Sequence, residues 1–196
     1  MRLLVIHCHP VAESFGAALR DTVLEAARKA GHEVRLRDLY AEGFDPVMGA
    51  QERLDYHTAG LNEAPVKDHL EDLRWAEGLI FTYPTWWFGQ PAMLKGWLDR
   101  VWVPHVVFTM PDETQGIGPA LTNVRLSGVA STLGSSWWVW TLMGAPGRRI
   151  LLRGVRACCH PRCKTFWLGL HEMDTATADQ RAGFLAKVRR RIARIA

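Results

Sequence analysis

Apolar residues fall along this chain in two alternating rhythms. Arg2–Cys8 (RLLVIHC) is a nearly continuous apolar run, the pattern of a strand buried on both faces. A helical period follows, with Ser14 placed to cap it and Gly31 to stop it after Ala30. Glu33–Leu39 reads as a second strand, shorter and more polar, which suits a place near an edge. Residues 41–65 are irregular apart from one helix over Ala50–His57; Pro65–Ala76 is helical and Gly78–Tyr83 is a third strand. From Pro91 onward, Leu94, Trp97, Leu98 and Val101 recur at i, i+3, i+4 and i+7, giving a helix with one apolar face. Trp102–Asn123 carries Pro104, Pro111, Gly116, Gly118 and Pro119 and reads as a long loop, which in a compact domain is functional or covered by a partner. Val124–Ser131 is a fourth strand and Thr132–Ser136 a small polar turn. Residues Trp137–Val155 are mostly helical, Lys164–Leu170 is a fifth strand, and Thr175–Ala193 is a final helix. Strand and helix thus alternate about five times, which predicts an α/β fold: a five-stranded parallel sheet with helices on both faces.

Composition narrows this picture without redirecting it. A length of 196 residues, 48% of them hydrophobic, fits one domain, 1–196, with a full core. No apolar stretch is long enough to span a bilayer, and the first apolar run is broken at once by His7, His9 and Pro10, so it is a strand and not an export signal. The cytoplasm is the expected compartment. The net charge of +4 is local: Lys187, Arg189, Arg190, Arg191 and Arg194 carry five positive charges, leaving −1 on residues 1–186. Cations at the end of a terminal helix complement its dipole, and no nucleic-acid motif accompanies them, so nucleic acid is not an expected partner. The cysteines are Cys8, Cys158, Cys159 and Cys163. The last three form a single knuckle without a second, which favours reduced thiols in a connector over a structural zinc.

Ligands of open α/β sheets bind outside the carboxyl ends of the strands, and three loops qualify. The first, His9 to Gly16, opens a helix whose N-terminal amides can hold a phosphate. The second, Pro84-Thr85-Trp86-Trp87-Phe88-Gly89, packs bulky aromatics where such a sheet binds its ligand, which suits a flat aromatic cofactor; a hydrophobic plug between strand and helix is the alternative. The third, Ser131 to Ser136, has Gly134 to admit a close backbone approach. A Gly-x-Gly-x-x-Gly fingerprint, a Walker lysine loop and a serine nucleophile elbow are all absent from the sequence. His7 and His9 alternate on a strand end without a nearby carboxylate, a pattern that serves packing and hydrogen bonding more often than metal.

These loops resemble those of the flavodoxin-like NAD(P)H:quinone oxidoreductase family of the short bacterial type. The first matches through His9, Ser14 and Phe15; the second runs from Pro84 to Trp97 as Pro-x-x-Trp-Phe-Gly-x-Pro-Ala-x-Leu-Lys-Gly-Trp; the third, Ser131-Thr132-Leu133-Gly134, is looser. The resemblance implies that His9, Ser14, Phe15 and Gly16 hold the phosphate end of FAD or FMN. It implies that Pro84, Thr85, Trp86, Trp87 and Phe88 line the isoalloxazine edge, and that Ser131, Thr132 and Gly134 close the other side. NAD(P)H would be the electron donor and a quinone or similar small molecule the acceptor. Phe108 and Met110 stand where mammalian members carry active-site tyrosines, and no histidine lies between Trp137 and Gly147, which implies a more apolar substrate pocket. A homodimer with a shared active site is expected as well. The alternative function is a non-catalytic flavoprotein, either an electron carrier or the regulatory subunit of a transporter.

Overall fold

The computed structural model describes residues 1–195 except Asp112, Thr114 and Gln115. In chain order the elements are β1 (Arg2–His7), α1 (Phe15–Lys29), β2 (Glu33–Asp38), α2 (Ala50–Asp55), α3 (Lys67–Trp75), β3 (Gly78–Thr85), α4 (Ala92–Val101), β4 (Phe108–Thr109), β5 (Gly118–Pro119), β6 (Leu126–Leu133), α5 (Trp137–Leu142), α6 (Pro146–Arg149), β7 (Lys164–Leu170) and α7 (Ala178–Ile192). β1, β2, β3, β6 and β7 form one sheet in the order β2-β1-β3-β6-β7, and every pairing in it is parallel. This is the expected α/β architecture, with the more polar β2 at an edge.

Alternation along the strands explains why both faces are covered. Leu3 and Val5 point to one side, where α1 and α7 contribute Leu19, Val23, Phe184 and Val188; Leu4 and Ile6 point to the other, where α3 and α4 contribute Leu70, Leu73, Leu94 and Trp97. The apolar face read from Leu94, Trp97, Leu98 and Val101 is buried throughout. α4 also approaches the chain at Pro46 so closely that a Cβ on Gly96 would meet the Pro46 carbonyl oxygen at 2.2 Å.

Four boundaries differ from the sequence reading. β3 continues two residues past Tyr83 and carries Pro84 inside a central strand. Thr82 turns its carbonyl toward β1 and accepts from the Cys8 N–H at 3.0 Å; two residues on, Pro84 turns the same backbone edge toward a β1 that has already ended. Its missing N–H therefore removes no ladder bond. β6 likewise runs to Leu133, pairing Pro84 with Thr132 and Thr85 with Leu133, so the first two residues of the expected polar turn are strand. Residues 137–155 are not one helix: α5 ends at Leu142, Gly144 and Ala145 take left-handed backbone, and α6 leads into a wide π-helical turn over Ile150–Val155. α7 begins at Ala178, where Thr177 and Gln180 cap it reciprocally. The Trp102–Asn123 loop contains the short β4–β5 ladder; its residues 112, 114 and 115 lie outside the described residues.

Candidate functional site

All five strands of the parallel sheet point their carboxyl ends to one edge, and the three ligand-loop candidates stand there in adjacent positions, after β1, β3 and β6. The second and third loops together border a cleft of about 680 Å³, within the range that holds a small molecule or cofactor. Pro84, Thr85, Trp86, Trp87 and Phe88 form one wall; Thr132, Gly134 and Ser135 form the other.

The first wall ends in a tight hairpin turn. Trp86 and Gly89 exchange both backbone hydrogen bonds, N–H to O at 3.2 and 3.0 Å, leaving Trp87 and Phe88 as the two turn residues. Both take left-handed backbone, with φ of 48° and 64°. A two-residue turn of this hand is normally made by Asn-Gly or Asp-Gly, because bulky side chains are strained there. Trp87 is also 95% exposed, so no packing within the chain compensates it. The bonds across the turn consume the N–H groups of Trp86 and Gly89; among the described residues, those of Trp87 and Phe88 have no partner.

Neighbouring segments hold the turn in place. The Gly147 N–H donates to Phe88 O at 3.1 Å, and Gln90 Nε2 donates to Gly147 O at 2.8 Å. Contact is close enough that a Cβ on Gly147 would lie 3.1 Å from Gly89 Cα. Phe88 packs against the small cluster of Leu133, Trp140 and Ala145. Below it, Trp140 stacks on Trp167 with centroids 5.3 Å apart. Tyr83, whose phenol burial pushes well above its usual range, is T-shaped to Trp167 at 6.5 Å.

The first loop stands apart from the cleft. Ser14 caps α1, its Oγ accepting from Ala17 N–H at 3.2 Å, and the N–H groups of Phe15 and Gly16 have no partner among the described residues. His9 Nδ1 accepts from Val11 N–H at 3.0 Å, and the ring lies over Gly16, where a Cβ would meet His9 Cδ2 at 2.8 Å. The first turn of α1 contains no acidic side chain, so its positive end is unopposed. Unpartnered amides and no acid in the turn thus stand at the end of β1, the strand beside β3. His7 is not part of this arrangement. Its ring is buried, with Nδ1 2.9 Å from Thr82 Oγ1, and burial holds its pKa down at about 4.

Three residues of the sequence reading lie elsewhere. Ser131 is 0% exposed; its hydroxyl donates to Tyr83 O and is paired with Thr85 Oγ1, both at 2.8 Å, so it fastens β3 to β6 beneath the cleft and does not face it. Phe108 borders a separate groove with Trp102 and Ile150, and Met110 follows it outside the cleft lining. Conversely, the lining includes Met173 and Asp174, which the sequence reading passed over; a Cβ on Gly134 would meet Asp174 Oδ2 at 2.8 Å. The strand-end rule that selected the other loops, applied also to the fifth strand, points to them. The thiols of Cys159 and Cys163 are buried in the connector before β7, with Cys159 Sγ donating to Val155 O at 3.3 Å.

Comparison with known proteins agrees with this geometry. A family model described as a flavodoxin-like fold matches residues 1–159. A ribosyldihydronicotinamide dehydrogenase-like protein of Penicillium crustosum is 37% identical over 118 residues, which cover 52% of this chain and 44% of the relative. NAD(P)H dehydrogenase (quinone) 1 of Cavia porcellus is 33% identical over 125 residues, covering 55% of this chain and 45% of the relative. The chain thus matches a little under half the length of these curated relatives. Among solved structures, a putative quinone reductase from Klebsiella pneumoniae superposes with a TM-score of 0.84 at 25% identity, covering 98% of this chain and 83% of the other.

Proposed function

Because this chain belongs to the flavodoxin-like fold family, we propose that it is a flavin-dependent NAD(P)H oxidoreductase that passes two electrons to a quinone or similar small acceptor. The observation that carries the reading is the strained Trp87-Phe88 turn, which aims two unpartnered amides at the end of a parallel sheet beside the cleft. Strain of this kind costs on the order of 1–3 kcal/mol per residue and clusters at functional sites. The named relatives, a quinone dehydrogenase and a ribosyldihydronicotinamide dehydrogenase-like protein, support the same activity class.

The residues present fit a flavin, either FAD or FMN. The free amides of Phe15 and Gly16, with no acid in the turn, suit its phosphate end. The amides of Trp87 and Phe88 suit acceptor atoms on the edge of its ring. Thr132, Gly134 and Ser135 form the wall that would face the ring opposite the aromatic turn. When bound, a flavin would supply the two-electron redox chemistry between a reduced nicotinamide and the acceptor. The protein's part is to bind and orient it. A nucleophile is not required, which agrees with a sequence that carries no serine nucleophile elbow.

A second copy of the chain completes the site in this proposal. Trp138 and Leu142 on α5 are 73% and 76% exposed, an apolar load that marks an interface. Phe108 and Met110, outside their own chain's cleft, would face the partner's.

The test begins with the mass and absorption spectrum of any cofactor released from purified protein, followed by NAD(P)H oxidation with a quinone acceptor. A folded Trp87→Ala/Phe88→Ala variant should lose most of its flavin. Full occupancy and unchanged affinity in that variant would move the site elsewhere.

A further inference from the structure

On the far side of Phe88 lies a second groove, of about 390 Å³, that the proposed chemistry leaves unused. Phe88 lines the cleft and packs on Leu133, Trp140 and Ala145; Trp140 and Ala145 in turn border the groove. The chain passes from one cavity to the other in two residues, Ser135 facing the cleft and Trp137 the groove.

Charge sets this groove apart. Arg148, Arg149 and Arg153 line it and no carboxylate does. None of the three makes an ion pair among the described residues, whereas Arg20, Arg35, Arg37, Arg74 and Arg100 all do. Three guanidinium groups on one short stretch repel one another, and an unopposed cluster of this sort is a site for a multiply charged anion. The backbone here is irregular: Ala145 has φ 48°, and a π-helical turn runs from Ile150 to Val155. Such π turns are frequent at functional sites. Trp137 offers an exposed aromatic face on the rim, and Trp140, only 4% exposed, has a buried indole N–H without a partner among the described residues. The exposed Trp137 face and the arginine cluster together match a purine nucleotide bearing phosphates.

We propose that the groove of Trp137, Trp140, Arg148, Arg149 and Arg153 receives the phosphate-bearing adenosine tail of the reduced nicotinamide donor, while the nicotinamide enters the cleft past Phe88. This rests on the oxidoreductase reading above and makes it narrower: the donor is a phosphorylated dinucleotide and not a phosphate-free nicotinamide riboside. α6, which carries Arg148 and Arg149, is bonded directly to the aromatic turn, Gly147 N–H to Phe88 O at 3.1 Å, so an occupied groove also steadies the turn.

Two measurements test it on the flavin-loaded protein. In the first, calorimetry follows binding of adenosine 2′,5′-bisphosphate, which carries the tail and no redox group. Wild-type protein should bind it, and Arg149→Ala/Arg153→Ala should weaken binding by about tenfold or more, since charge-assisted bonds to phosphate are the strong ones. In the second, steady-state kinetics compare NADPH with dihydronicotinamide riboside. The same variant should raise KM for NADPH by a similar factor, leave kcat at saturation in place and leave KM for the riboside unmoved; Arg149→Lys should recover part of the loss. Absence of bisphosphate binding, or equal KM changes for both donors, overturns the proposal even if the protein proves to be an oxidoreductase. Tight bisphosphate binding that depends on the arginines, in a protein that oxidises neither donor, would instead sink the oxidoreductase reading and leave a nucleotide site.

Discussion

Trp87 and Phe88 hold backbone conformations at which Asn and Gly are the usual residues, and the two differ in what they receive in return. Phe88 is packed on Leu133, Trp140 and Ala145, whereas Trp87 is 95% exposed. Trp87→Asn should therefore stabilise the flavin-free chain by about 0.5–1 kcal/mol, because Asn tolerates the left-handed region, while it weakens flavin binding or pairing of two chains. A denaturant midpoint that falls in the variant would show that the tryptophan is held by packing after all. Buried histidines make a separate prediction at this scale. Burial holds His7 and His69 at about pH 4; His7 lies beside Thr82 Oγ1, and His69 Nδ1 accepts from Trp97 Nε1 at 3.2 Å. In the unfolded chain each takes up a proton near pH 6.5. The unfolded state thus binds more protons between pH 6.5 and 4, so stability is full above that window and falls as pH drops through it. The slope reaches at most about 1.4 kcal/mol per pH unit for each histidine. Urea melts between pH 4 and 7 check it, and a flat profile would mean that both rings stay solvated.

At the scale of elements, the site depends on how α6 meets the hairpin turn that ends β3. Gly147 allows this contact, since a Cβ there would stand 3.2 Å from Phe88 O and 3.1 Å from Gly89 Cα. Gly147→Ala should push the turn away from α6, lower flavin affinity several-fold and leave the fold intact, because the sheet core is not involved; flavin titration with circular dichroism as control measures it. Unchanged affinity would show that the turn is rigid by itself. The sequence pattern places every principal strand and helix here, because each is long enough for its period to show. Boundaries are another matter. Pro84 reads as a strand end, yet it sits within β3 because its neighbour β1 stops first. The break of residues 137–155 into α5, α6 and a π-helical turn follows from left-handed Gly144 and Ala145, and Gly144 and Pro146 signal it in the sequence.

Across the whole molecule, apolar surface remains uncovered on α5, where Trp138 and Leu142 are 73% and 76% exposed. A second copy of the chain is the cover we propose for exposed apolar surface of this kind. Light scattering at micromolar concentration should give about twice the chain mass of 22.1 kDa. Trp138→Glu/Leu142→Glu should give monomers with impaired turnover. A wild-type monomer active at full rate would end the shared-site proposal.

The sequence alone determined the layer architecture, the edge position of the polar β2 and the strand ends where a ligand belongs. Those features follow from local periodicity and from the rule that parallel strands send their loops to one side. Tertiary structure decided which residues meet. It turned Ser131 into the sheet as a fastening, brought Met173 and Asp174 into the cleft and set Phe108 and Met110 outside it. It also put Arg148, Arg149 and Arg153 on the far side of Phe88 from the cleft. The physical reason is the same in each case. Period and propensity act over a few residues, whereas the facing of a side chain at a strand end depends on where the neighbouring strand stops and which helix lies across it, and those partners are distant in the chain.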